Sequence, residues 1–306
     1  MVNFRYHLVS LIAVFLALAV GVVLGAGPLQ NAIEKGPGAQ NEAEVLQKTE
    51  AELADAKGVT SQYATFTKAI GDEVLEGALE GHTVAFVLLP GASTEDVDLL
   101  ADGLEGAGAK ISGRVLLTEE WETTDANSYR ETLAGPVGSH LAGEPKDTSA
   151  VGVLAFALVE SLTVEGSEAD LLREMLTDDE TPLVTKSSMP SEQVTDLVLV
   201  GPSSTFQADG EEAAQSGETT DPARDRAWLA LGNALAQGEG ANAAVGEAAK
   251  SDQFIAVLRT GGVRLGTVDQ VGTPMAALNA AAVLASGSDG AFGQGEGATS
   301  PVAPLP

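Results

Sequence analysis

Residues 83–117 read TVAFVLLPGASTEDVDLLADGLEGAGAKISGRVLL, and three segments of different period follow one another within them. Thr83 to Leu89 is an unbroken apolar run rich in branched side chains, the pattern of a strand covered on both faces. Pro90 and Gly91 turn the chain, and Ser93 or Thr94 can cap a helix whose first turn holds Glu95 and Asp96. Val97, Leu100 and Leu104 recur at helical spacing, Gly106 and Gly108 close the helix, and Ala109 to Leu117 reads as a second strand. Strand, covering helix and strand make a βαβ unit, which requires a parallel sheet with a right-handed crossover. The Pro-Gly turn lacks the glycine spacing of a dinucleotide fingerprint, and no Gly-Lys-Ser/Thr sequence occurs in the chain. A Rossmann-like or flavodoxin-like region without a nucleotide is the resulting expectation.

Downstream the alternation continues. Tyr129 to His140 carries a short helix, and Val151 to Val159 (VGVLAFALV) is a buried helix or strand, too short to span a membrane. Ala169 to Leu176 is a helix, Pro182 to Thr185 a short strand, and Asp196 to Val200 (DLVLV) a strand ended by Gly201-Pro202. Gln207 to Pro222 has almost no apolar content and is expected to be a loop or disordered insertion. A helix over Ala223 to Gln237 follows, then a poor strand candidate at Ala241 to Val245 and a helix at Gln253 to Leu258. Val263 to Val268 is a strand, and Pro274 to Leu284 is a helix opening on its proline. Beyond Ala285 nothing is left to bury, so residues 286–306 read as a disordered tail.

Upstream, Leu8 to Pro28 (LVSLIAVFLALAVGVVLGAGP) carries no charge, and none stands between Arg5 and Glu34. Twenty such residues make a helix of about 30 Å, the thickness of a bilayer core. The run is longer than a signal-peptide apolar region, and Pro28 follows the small pair Gly25 and Gly27, so an uncleaved signal anchor is expected. With Arg5 before the helix and no basic residues just after it, the short start belongs in the cytoplasm and the rest outside. From Asn41 to about Val74, Leu46, Thr49, Leu53, Ala56, Thr60, Tyr63, Thr67, Ile70 and Val74 are spaced alternately three and four apart. That seam fits a short parallel coiled coil or an amphipathic helix lying on the following domain.

The chain has 16 basic against 44 acidic side chains, a formal charge of -28, which argues against nucleic acid and anionic headgroups as partners. It has no Cys, only three His and four Met, and no pair of these at ligand spacing. His82, His140 and Met189 are the metal candidates that folding could still bring together; His7 sits where the apolar run begins. No acid, base and nucleophile constellation is visible, so no enzyme and no cofactor are expected. Asp269 and Thr273 form the best polar pair, because Asp269 follows the last strand at the end where open α/β sheets place ligands.

Two segments carry a resemblance. The opening Asn3-Phe4-Arg5-Tyr6-His7-Leu8-Val9-Ser10-Leu11, running through Ala13 to Ala19 to Gly21 and Gly25, resembles the start of the actinobacterial copper transporter family. Leu265 to Pro274 (LGTVDQVGTP), with Thr267, Val268, Asp269, Thr273 and Pro274, resembles the family's second signature, a Ser-Thr-Val-Asp stretch closed by Asp-Thr-Pro. Gly266 stands where Ser is usual, Gly272 where Asp is common, and Ala291-Phe292-Gly293 where the family has Gly-His-Tyr-Gly. The resemblance implies an envelope protein with a role in copper export, resistance and homeostasis, and carries an outer-membrane channel label. One helix cannot enclose a channel, and aromatic residues are too scarce for the girdles of a barrel.

The combined expectation is an α/β protein with an N-terminal transmembrane helix, a short coiled-coil helix and a mostly parallel α/β region. Its parts are a cytoplasmic start (1–7), an anchor (8–28), a coiled-coil or linker helix (29–80), an extracytoplasmic α/β domain (81–285, with room for two subdomains splitting near 145) and the tail (286–306). The partners expected are the lipid bilayer through 8–28, a second copy through 41–76 and other envelope proteins, in a single-pass cell-membrane topology. The function expected is that of a membrane-anchored copper-export protein, the alternative being a non-enzymatic envelope scaffold or interaction protein that does not bind copper directly.

Overall fold

The computed structural model of the chain describes residues 37–178, 181–185, 190, 193–203 and 221–306, with side chains from residue 46 onward. The described residues fall into two units, one ending at Tyr63 and one running from Ala64 to Pro306. Helix α1 (Pro37–Val74) opens on its proline and crosses that boundary.

The second unit alternates strands and helices: β1 (Thr83–Leu88), α2 (Thr94–Gly106), β2 (Lys110–Leu116), α3 (Asn127–Gly138), α4 (Ala150–Thr163), α5 (Ser167–Leu176), β3 (Asp196–Val200), α6 (Pro222–Gln237), β4 (Ala243–Val245), α7 (Phe254–Thr260), β5 (Gly266–Val268), α8 (Pro274–Ser286) and β6 (Ala291–Phe292). The strands form one sheet in the order β2-β1-β3-β4-β5-β6, with every adjacent pair parallel. Because β1 pairs with both β2 and β3, the sheet runs across position 145.

Alternation along the strands sends side chains into two cores. Ala85, Val87 and Leu89 of the β1 segment, with Leu197 and Leu199, meet α3, α4, α5, α6 and α7. Val84, Phe86 and Leu88, with Val198 and Val200, meet α2 and α8, joined by Leu75 and Leu79 from the end of α1's segment. Ser93 caps α2 by accepting the Asp96 N–H, and Thr273 caps α8 by accepting that of Ala276. The run at Val151–Val159 resolves as helix α4, capped by Ser149. Leu154, Phe156, Leu158 and Leu162 are all buried, and a helix covered nearly all round shows no period in its sequence.

Three expectations are corrected. No helix among the described residues is long and apolar enough to cross a membrane. The stretch 8–28 itself lies outside the described residues, as does the start 1–7. The physical reason holds helix by helix: α1 is long but carries Lys48, Glu50, Glu52, Asp55 and Lys57 within ten residues, whereas apolar α4 has only 14 residues, about 21 Å of rise. The membrane-spanning helix, the bilayer as a partner, the single-pass topology and the extracytoplasmic placement therefore have no described helix to rest on, and are withdrawn.

The seam of α1 is the second. Leu46, Leu53, Tyr63 and Ile70 are exposed, and Gly71, near the end of the helix, lies buried against Leu278. Among the described residues nothing beyond the sequence pattern supports the seam, so self-association through 41–76 and docking of envelope proteins are set aside with the other partner expectations.

The third is the tail. Residues 286–306 add strand β6, bury Phe292 and Ala303, and are pinned by Asn279, whose side chain donates to the Pro301 carbonyl (3.1 Å) and accepts from the Ala303 N–H (2.9 Å). The segment is held by backbone pairing and a few small contacts, which its glycine-rich composition does not announce. The loop expected at Gln207–Pro222 lies almost wholly outside the described residues.

Glycines test the packing. A Cβ on Gly103 of α2 would stand 2.7 Å from the Ala277 Cβ of α8, whereas a Cβ on Gly58 of α1 meets nothing within 4 Å. Gly103→Val is expected to destabilise the α/β unit by about 1–3 kcal/mol through overpacking. Gly58→Ala is expected to stabilise its helix by up to about 1 kcal/mol. Urea unfolding for the first and thermal loss of helical circular dichroism for the second check the two signs.

Candidate functional site

In a sheet of this order the connections diverge between β1 and β3, which is where open α/β proteins bind ligands. Here the turns Pro90-Gly91 and Gly201-Pro202 fill that position themselves. The Ser203 N–H donates to the Gly91 carbonyl (3.4 Å), and a Cβ on Gly91 would lie 3.2 Å from that of Pro202. A side chain on Gly201 would strike the Phe254 ring.

The polar chemistry instead gathers after β5. Asp269 and Arg259, at the end of α7, form an ion pair of 2.8 Å with side chains 1 % and 5 % exposed. Burying two charges is costly unless their remaining hydrogen-bonding capacity is met, and here it is met. Asp269 accepts the N–H groups of Gln294 and Gly295 (both 2.9 Å), while Arg259 donates to the Thr267 hydroxyl (3.1 Å) and to the Phe292 and Glu296 carbonyls (both 2.9 Å). Gly293, at φ 127, brings the backbone so close to Asp269 that a Cβ would overlap the carboxylate. Thr273 donates to the Gln270 carbonyl (2.8 Å) and caps α8, which opens on Pro274.

Two further carboxylates stand nearby. Asp96 is 7 % exposed, and its Oδ2 has no hydrogen-bond partner among the described residues. Burial pushes the Glu247 carboxyl above its ordinary value, and the charges of Asp96 and Asp269 push it the same way.

The metal candidates are placed apart. The His82 Nδ1 meets Asp196 Oδ2 at 2.8 Å where β1 and β3 begin, and Asp196 also accepts from Thr195 (2.5 Å) and the Ala241 N–H (2.7 Å). The His140 Nδ1 meets Glu168 Oε2 at 2.7 Å, joining the residues after α3 to α5. Met189 and the first signature, Asn3 to His7, lie outside the described residues. Among the described residues no three His, Asp or Glu side chains form a group able to hold a metal ion.

A family model described as "Copper transport outer membrane protein, MctB" matches residues 1–303. The chain belongs to the MctB family. The copper transporter MctB of Mycobacterium tuberculosis strain H37Rv is 29 % identical over 185 residues, 56 % of this chain and 58 % of that protein. Its Mycobacterium leprae counterpart is 31 % identical over 143 residues, 46 % of this chain and 44 % of that protein. The matched stretch thus spans 58 % of the length of the first of these MctB relatives and 44 % of the second.

Two glycines of the Leu265–Pro274 segment are closely enclosed. At Gly272, φ is 81, a backbone conformation that favours glycine, and a Cβ would lie 2.4 Å from Asp96 Oδ1. At Gly266 a Cβ would meet Val283 at 2.3 Å and the Ser288 carbonyl at 2.5 Å, so a side chain there requires the backbone to shift. Arg259 and Glu247 are residues the sequence did not single out, and Asp96 read only as a first-turn acid of α2. A lone Arg in the last turn of a helix reads as a favourable end charge, which hides its role as the partner of Asp269.

Two outcomes follow. Asp269→Asn leaves Arg259 buried and uncompensated, and is expected to cost about 3–5 kcal/mol in urea unfolding. Glu247 binds its proton more tightly folded than unfolded, so its stabilising contribution is present at low pH and is lost as pH rises from about 4.5 through the raised value. Glu247→Gln should match the unmodified protein in stability near pH 4 and exceed it at neutral pH. A constant difference across that range would contradict the sign.

Proposed function

We propose that this MctB-family chain is a non-enzymatic scaffold or interaction protein of copper transport that acts without holding copper itself. The reading of a membrane-anchored envelope protein is not carried further, because no helix among the described residues is long and apolar enough to span a bilayer. The observation that carries the proposal is the saturation of Asp269. Its two oxygens accept from one guanidinium and two backbone N–H groups, so the second family signature is committed to holding α7, β5 and β6 together. Neither His82 nor His140 belongs to a group of three His, Asp or Glu side chains able to hold a metal ion among the described residues. Soft Cu(I) selects thiolate, thioether and imidazole ligands, and the chain has no Cys.

Competition titration of the full chain against a chromogenic Cu(I) chelator tests this reading. No stoichiometric site tighter than about micromolar is expected, a dissociation constant that corresponds to roughly 8 kcal/mol of binding. A tighter site, abolished by replacing His82, His140 or Met189, would restore direct copper handling.

A further inference from the structure

We propose that the groove between α2 and α8, beside the end of α1, docks a basic amphipathic helix of a partner protein. The proposal rests on the reading of the chain as an interaction protein and names the chemistry of what it would hold. The groove has a volume of about 380 Å³ and lies within the second unit. Its floor is apolar: Leu99 of α2 with Pro274, Ala277 and Leu278 of α8. Two glycines shape it. Gly103 lets α2 close on Ala277, and Gly71 brings α1 against Leu278, where a Cβ would lie 3.3 Å from the leucine Cδ1.

The rim decides the occupant. Glu95, Asp98 and Asp102 are exposed along one side of α2, at spacings of three and four residues, and α1 adds Asp72 and one cation, Lys68, to the lining. Asp98 is paired with Arg114 (2.5 Å) and Asp72 with Lys68 (3.6 Å), but Glu95 and Asp102 have no partner among the described residues. From Glu95 to Asp102 the stripe runs about 10 Å, two helical turns. A helix carrying Lys or Arg at the same spacing on either side of an apolar stripe matches both charge and floor. The other large cavity, of about 460 Å³, has a balanced lining of Arg130 and Arg226 with Glu131 and Asp147, so an acidic rim is not common to every concavity of this acidic chain. An anionic lipid surface or a nucleic acid would be repelled by the same carboxylates.

The probe is a fluorescent synthetic helix with Leu at i, i+3, i+4 and i+7 and Lys at the flanking positions, titrated with the full chain and followed by anisotropy. Three proteins are compared: the unmodified chain, E95Q/D102N in the groove, and D125N/E144Q, which removes the same charge from exposed positions elsewhere. Circular dichroism melts establish that all three are folded. Loss of affinity of tenfold or more in the groove variant, with less than twofold in the control, supports the proposal. Equal loss in both variants, or no loss in either, overturns it, because the attraction is then one of net charge alone. Replacing the Leu residues of the probe by Ser should also abolish binding, and a probe that binds equally well without them refutes the apolar floor. Any of these failures leaves the scaffold reading standing, since a partner can dock elsewhere. That reading fails only on a tight stoichiometric Cu(I) site.

Discussion

One buried ion pair organises the far side of this sheet. Arg259 reaches from the end of α7 across β5 to β6, and Asp269 receives it while also gathering the amides of Gln294 and Gly295. Strands β5 and β6 have three and two residues, too few ladder bonds to hold an edge by themselves. Side chain to backbone bonds from one arginine and one aspartate replace the missing ladder. The cost of burying both charges is offset only because nearly every donor and acceptor finds a partner, and for that reason neither residue is replaceable singly.

The same constraint shapes the site. Residues at the carboxyl ends of parallel strands are commonly free to meet a ligand. In this chain the β1/β3 position is closed by Pro90-Gly91 against Gly201-Pro202, and the β5 position is closed by the Arg259–Asp269 network. What remains open lies on the flank, where Gly103 and Gly71 allow helices to approach and leave an apolar floor between acidic rims. A fold that commonly presents chemistry at its strand ends here presents a surface at its side.

Much of the central architecture was legible in the sequence because its signals are local. The apolar run at Thr83, the cap at Ser93 and the glycines after Leu104 each act within a few residues, and β1, α2 and β2 stand where those signals put them. The run at Val151 was not resolved, since a helix buried on nearly all sides loses the period that separates it from a strand. The fate of residues 286–306 was hidden for a different reason: β6 depends on an arginine about thirty residues upstream, and Ala303 on Asn279. Asp269 could be singled out from its place after a strand, but its partner could not. Sequence periodicity carries no information about which distant charge will face it. The membrane-spanning helix was expected from hydropathy alone, and the described helices are either charged, like α1, or short, like α4.

Native-state hydrogen exchange on the full chain, with and without Cu(I), tests the central claim most directly. If Asp269 is a structural latch, the amides of Gln294 and Gly295 exchange only with opening of the β5–β6 edge, at rates indifferent to copper. Exchange of these two amides at the rate of an exposed loop, or protection that changes when copper is added, would contradict the account.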